Sequence, residues 1–366
     1  MKHFIVGPVE MYESTKSVLT KGYTYFRTEE YGNMVKKCLS KVSEYLGNSE
    51  ENSLIYLAAS GTGAMEAAVD NCMNKNDKAL VINGGSFGHR FCDLLEWHGI
   101  QYDSINLEWN EVVNLEHLKP FENQGFTTLF VNLDETSSGK LYDIRLLSDF
   151  CKRNNMMLVV DAISTFLADE YNMEKYGIDL TIISSQKGLC LSPGMSLVSF
   201  SKRMKEKVMN NPKPSSLYFN FKDYFKNIER GQTPYTPTVS IMYELKDMID
   251  MIENSGGLNN WLKQVETKCK YFREKAQNLG LIIPDYPKSN TLTPLYFENI
   301  NAGEIVKNLR EKYQIFINPC GGKLAEKLLR VSHIGNITIE DIDELLEKMM
   351  MVINEIKNRE LIYDRK

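Results

Sequence analysis

Two neighbouring segments, Met156-Met157-Leu158-Val159-Val160-Asp161-Ala162-Ile163-Ser164-Thr165 and Leu180-Thr181-Ile182-Ile183-Ser184-Ser185-Gln186-Lys187-Gly188, decide how the chain is read. Each opens with a short apolar, β-branched-rich run, Met156 to Val160 and Leu180 to Ile183, and then turns polar. Buried parallel strands read this way, with side chains presented at their carboxyl ends. Those ends are where open α/β sheets bind ligands. Asp161 and Lys187 therefore mark a candidate site, and the expected fold class is α/β.

A carboxylate and a lysine delivered together suit pyridoxal phosphate (PLP) chemistry. The lysine bonds the cofactor's aldehyde, and the aspartate keeps the pyridine nitrogen protonated, which makes the ring an electron sink. Taken singly, the two residues also read as a helix-capping Asp and a solvated Lys. The other residues of the chain decide between these readings.

At 366 residues the chain is longer than the roughly 250–300 residues over which one core keeps growing, so a large and a smaller domain are expected. The net charge of −5 comes with no basic face, which argues against nucleic acid or an anionic membrane as partner. The seven cysteines are scattered and odd in number, without Cys-x-x-Cys spacing. They read as reduced thiols of a soluble cytoplasmic protein with no metal site. No apolar run is long enough for a signal peptide or a membrane span.

Along the chain, Phe4 to Val9 is an apolar arm broken by Gly7-Pro8, and a helix is expected over 31–46. Strand 54–57 leads to Ser60-Gly61-Thr62, where a helix rich in Ala, Met and Glu begins. Free N–H groups and hydroxyls at that helix end form either a phosphate cradle or a simple cap. Strand 78–82 ends in a glycine-rich turn carrying Phe87, which is placed either to stack on a flat ring or to plug the following helix. Strands are further expected over 102–107 and 127–133, the latter ending in Asp134-Glu135-Thr136-Ser137-Ser138-Gly139, followed by a helix over 144–153. Beyond Lys187, residues 195–200 return as an antiparallel strand, and 232–238, with Tyr235 and Thr236, are irregular. The amphipathic stretch 239–279, interrupted at 255–257, carries the chain toward a small α+β unit. That unit has strands at 281–283, 292–297 and 315–317 and helices at 301–312 and 339–357. Arg330, among apolar neighbours, is placed to grip a carboxylate or to form a surface ion pair.

In this order the residues resemble class V, fold-type I PLP-dependent transferases, and among them the branch of alanine–glyoxylate, serine–glyoxylate and 2-aminoethylphosphonate–pyruvate aminotransferases. The resemblance runs from Gly7-Pro8 through Ser60-Gly61-Thr62, Asn83-Gly84 with Phe87-Gly88, Glu135 to Gly139, Asp161 to Ser164 and Ser185 to Gly188 to Arg330. It implies an N-terminal arm (1–20), a large PLP-binding domain with a mostly parallel central sheet (21–255) and a smaller α+β C-terminal domain (256–366). Lys187 matches the catalytic lysine, Asp161 the ring-nitrogen partner, and Phe87 and Ile163 the two faces of the ring. Ser60, Gly61, Thr62 and Gln186 match phosphate binders, and Thr136 matches a hydroxyl near the ring oxygen. Tyr235 and Thr236 match contacts supplied by the neighbouring subunit, which implies a homodimer with shared sites. Arg330, with Gly7 and the Arg27 region, matches the substrate-binding groups.

The implied reaction passes an amino group from a small amino acid or aminophosphonate to a small 2-oxo acid in a ping-pong sequence. A class V lyase such as a cysteine desulfurase is the rival, with Cys320, expected in a flexible loop before Gly321-Gly322, as its thiol. A noncatalytic PLP-binding accessory protein is a third reading. Phe87 stands where this branch more often has Trp or Tyr, and Val331-Ser332-His333 departs from its usual sequence after the arginine. His333 is thereby expected either to contact a substrate side group or to serve the structure.

Overall fold

The computed structural model describes residues 1–363. Strands follow in the order β1 (Lys2–Phe4), β2 (Leu54–Leu57), β3 (Lys78–Asn83), β4 (Gln101–Asn106), β5 (Thr128–Asn132), β6 (Asp134–Glu135), β7 (Lys140–Leu141), β8 (Met157–Asp161), β9 (Leu180–Ser184), β10 (Ser196–Phe200), β11 (Leu292–Tyr296), β12 (Ile315–Pro319) and β13 (Leu328–Ser332). Seven of them form one sheet in the order β2-β10-β9-β8-β5-β3-β4. All run in one direction except β10, which lies antiparallel between β2 and β9. Every residue of β5 and β9 is buried, as a strand covered on both faces requires.

Register brings the site residues together. Asn132 at the end of β5 pairs with Asp161 at the end of β8, and Asp161 pairs with Ile182 of β9. Lys187 lies just past the end of β9, in a turn packed so closely that a Cβ on Gly188 would come within 2.0 Å of the Phe166 carbonyl oxygen. The central strands therefore all open toward one edge.

The second sheet, in the order β1-β12-β13-β11, mixes one parallel pair (β1 with β12) with two antiparallel ones. It has a core of its own around Phe4, Leu295, Ile305, Ile317, Val331 and Leu345. Helix Leu258–Asn278 serves both cores, burying Trp261 and Val265 in the first and Phe272 and Ala276 in the second. The β6–β7 hairpin meets the second unit directly. Leu141 N donates to Pro287 O at 2.8 Å, and the Tyr286 hydroxyl donates to Ser138 O at 2.5 Å.

Two expectations are corrected. Residues 281–283 are not a strand: Ile282 makes a lone bridge to Tyr296, and Pro284 stops the run. Residues 328–332, where no strand is expected from the sequence, are strand β13, so Arg330 projects from a sheet.

Asp179 ties together the starts of the two strands that deliver Asp161 and Lys187. Its carboxylate accepts from Leu158 N at 2.9 Å, Ser201 Oγ at 2.9 Å and Arg203 Nε at 3.0 Å. Replacing it leaves a buried N–H without a partner. Asp179→Ala is expected to cost about 2–4 kcal/mol of unfolding free energy, read from the urea midpoint. A loss below about 0.5 kcal/mol, the usual range for surface changes, would contradict this role.

Candidate active site

Lys187 is the centre of a polar cluster. Its Nζ donates to Ser164 Oγ at 2.7 Å and Thr136 Oγ1 at 3.4 Å, and those two hydroxyls lie 2.7 Å from each other. The Phe87 ring centroid is 5.2 Å from Nζ. Burial lowers the pKa of the lysine, and the charges of Asp161 and Asp134 partly restore it. A lowered pKa leaves more of the amine neutral and able to accept a proton.

Asp161 is almost fully buried. Burial pushes its carboxyl up to about 6, against the pull of the Ile163 N–H, the Lys187 charge and the Asn132 amide. Its oxygens accept from Ile163 N at 2.9 Å and Asn132 Nδ2 at 2.8 Å. Neighbouring Asp134 has no hydrogen-bond partner on either oxygen, and burial pushes it well above the usual carboxylate range. Of the two buried acids, only Asp161 has hydrogen-bond donors on its carboxylate.

Phe87 lies in the first turn of helix Ser86–Trp97, not in the preceding glycine-rich turn. Glu135, fully buried, accepts from Gly88 N at 2.9 Å and Phe87 N at 3.4 Å and so anchors that helix end beside Lys187. Sequence reasoning gave Glu135 and Ser164 no role. The partners lie 47 and 23 residues away, beyond the reach of any local pattern.

Ser60 caps helix Gly61–Cys72, its Oγ accepting from Gly63 N at 3.2 Å. A Cβ on Gly61 would meet Ile163 Cδ1 at 2.5 Å, so the helix end and the segment after Asp161 are in contact. The Gln186 side chain accepts from Ser184 Oγ at 2.7 Å, and its backbone oxygen accepts from Val9 N at 3.1 Å. The arm thus lies along Lys187, and a Cβ on Gly7 would come within 3.1 Å of Lys187 Cγ. Arg330 Nη1 donates to Thr136 O at 2.6 Å and Nη2 to Pro319 O at 2.5 Å, which leaves Nε without a protein partner.

Arg27, Tyr235 and Thr236 stand apart from this bonding. Arg27 donates to Thr233 O at 2.9 Å, Tyr235 stacks on Tyr218 at 5.1 Å and donates to Leu217 O, and Thr236 is exposed. His333 is fully buried, with Nε2 2.7 Å from Thr293 Oγ1, and serves the interior of the second unit. Cys320 is buried at the end of β12, donates to Ser137 O at 3.3 Å, and has its thiol pushed up by burial. It lies just past β12, where its backbone N–H donates to Leu328 O at 3.2 Å.

The profile of the aminotransferase class-V family matches residues 9–345. The chain belongs to that family. An aminotransferase of Methanocaldococcus jannaschii is 26% identical over 360 residues, covering 96% of this chain and 92% of its own length. An L-aspartate–glyoxylate aminotransferase of Paracoccus denitrificans is 25% identical over 346 residues, covering 92% of this chain and 86% of its own. Alanine–glyoxylate aminotransferase from Nostoc sp. shares the fold, with a TM-score of 0.90 at 24% identity over 96% of this chain and 94% of that one.

The cofactor of this class-V aminotransferase is pyridoxal phosphate, and the residues present fit it. Asp161 is a buried anion with two donors already in place, suited to a ring cation. Lys187 reaches the same space with an aromatic ring alongside. At Gly61 and Gly7 the backbone approaches closely where a side chain would intrude.

PLP affinity is expected to follow the Asp161 charge. The carboxyl is raised to about 6, so protons compete with the ring cation at higher pH than for an ordinary aspartate. Affinity should hold above about pH 7 and weaken by up to about tenfold per unit once pH falls below 6. Asp161→Asn should bind more weakly throughout and lack this limb. An acid limb unchanged in Asp161→Asn would assign it to another group.

Proposed function

We propose that this PLP-dependent aminotransferase moves the amino group of a small amino acid or aminophosphonate to a small 2-oxo acid of the glyoxylate or pyruvate type, in two half-reactions. The observation that carries the reading is Lys187 Nζ, held 2.7 Å from Ser164 Oγ and 5.2 Å from the Phe87 ring centroid beside the buried Asp161.

Each residue has a task in this reading. Bound PLP supplies an aldehyde for the lysine and a protonated ring that withdraws electrons. Asp161 keeps the ring nitrogen protonated. Phe87 and Ile163 hold the two faces of the ring, and Thr136 lies near its oxygen. Ser60, Gly61, Thr62 and Gln186 bind the phosphate at a positive helix end. Lys187, its basicity lowered by burial, moves the proton between substrate and cofactor carbons. Arg330 holds the substrate carboxylate after releasing a backbone carbonyl, with Gly7 beside it.

The same reading makes the protein a homodimer in which Tyr235 and Thr236 of one subunit complete the other's site, and it keeps Arg27 among the substrate-binding groups. Support comes from the exposed apolar side chains Leu217 and Tyr218 beside Tyr235, a patch of the kind that partners cover. The two separate cores support two units, and the reading sets their bounds as an arm over 1–20, a cofactor-binding unit over 21–255 and a C-terminal unit over 256–366. Seven unpaired cysteines favour the cytoplasm. No helix among the described residues is long and apolar enough to cross a membrane.

Cys320 separates this reading from the lyase. A nucleophilic thiol needs exposure and a lowered pKa. Cys320 is buried and raised.

The test is the visible spectrum of the holoenzyme with alanine, serine, aspartate and 2-aminoethylphosphonate. One donor is expected to bleach the band near about 410–430 nm toward about 330 nm, and a 2-oxo acid to restore it. Sulfide release from cysteine without bleaching would favour the lyase. An unchanged band with every donor and acceptor would favour a noncatalytic protein.

A further inference from the structure

Arg90 lies three residues beyond Phe87 on helix Ser86–Trp97. Residues at that spacing share a helix face, so the ring and the guanidinium leave the helix on the same side. Phe87 faces Lys187. Arg90 instead points its Nη1 at Thr62 Oγ1, 3.0 Å away. Thr62 is in the first turn of helix Gly61–Cys72, where unpaired N–H groups already make the potential positive.

A guanidinium brought to a positive helix end is electrostatically unfavourable unless an anion joins them. Among the described residues Arg90 makes no ion pair: nearby His89 pairs with Asp93, and the carboxylates of Glu66 and Asp70 face His98. Arg90 is half-buried, so solvent screens it only in part. Its contact with Thr62 has a directional consequence. Arginine has donors and no acceptor, so Thr62 Oγ1 receives the bond and its own proton turns elsewhere.

We propose that Arg90 is a positioning residue for the phosphate group of the cofactor, acting through Thr62. It fixes the Thr62 hydroxyl as a donor toward the phosphate and adds a positive charge beside the helix end. Helix Ser86–Trp97 then grips the cofactor at both ends, with Phe87 on the ring and Arg90 at the phosphate. The inference rests on the placement of PLP at Lys187 described above.

A purely structural role, tying helix Gly61–Cys72 to helix Ser86–Trp97, predicts something different. Loosening that tie would weaken any ligand of the site, with or without a phosphate. The experiment therefore titrates apoprotein with PLP and with pyridoxal, which has the same ring and aldehyde and no phosphate. Arg90→Gln is expected to weaken PLP by about 10–100-fold, as for loss of a charge-assisted contact, and to leave pyridoxal within about twofold. Arg90→Lys should recover part of the loss.

Thr62→Val should weaken PLP in the same selective way, and the double variant should lose less than the product of the two single losses. Equal weakening of PLP and pyridoxal, or unchanged PLP affinity, overturns the proposal. Should Arg90→Gln fail to fold by circular dichroism, Arg90→Lys and Thr62→Val carry the same comparison. Wild-type protein that binds neither ligand would instead overturn the cofactor site, so the two failures are distinguishable.

Discussion

The structure is organised around an acid and an amine of opposite charge at the ends of neighbouring parallel strands, both removed from water. Burial alone would neutralise both, raising the pKa of Asp161 and lowering that of Lys187. What keeps Asp161 usable as an anion is a small set of donors, the Ile163 N–H and the Asn132 amide, together with the lysine's own charge. The sheet register that pairs Asn132 with Asp161 is therefore part of the electrostatics of the site as well as of the fold.

A second constraint comes from the segment after β5. The β6–β7 hairpin touches nearly every part of the site within a few residues. Glu135 fixes the helix that carries Phe87, Thr136 bonds toward Lys187 through its hydroxyl and to Arg330 through its carbonyl, and Ser138 meets Tyr286 of the second unit. Movement between the two cores would thus be felt at Lys187 and Arg330 together. Groups held at Arg330 and at Lys187 are thereby kept in register with each other.

Much of this was legible in the sequence because local pattern and local chemistry agreed. The runs ending in Asp161 and Ser184 read as buried strands, and Ser60-Gly61-Thr62 read as a helix start. Other features rest on long-range pairing and were not legible. Strand β13 is short and carries an arginine at its centre, and only its ladders to β11 and β12 make it a strand. Residues 281–283 have the composition of a strand but lack a partner beyond one bridge. The roles of Glu135 and Ser164 depend on side chains meeting across distant stretches of chain. Cys320 does lie in the segment just past β12, as the glycines that follow it suggest, but its side chain is turned into the interior.

The central claim is that Lys187, among the many lysines of the chain, bonds the cofactor. The most direct measurement is borohydride reduction of the PLP-loaded protein, proteolysis and mass spectrometry of the labelled peptide. The account predicts one pyridoxyl group per chain, on Lys187, with no label fixed in Lys187→Ala. Label spread over surface lysines, or concentrated on another buried lysine such as Lys140, would contradict it.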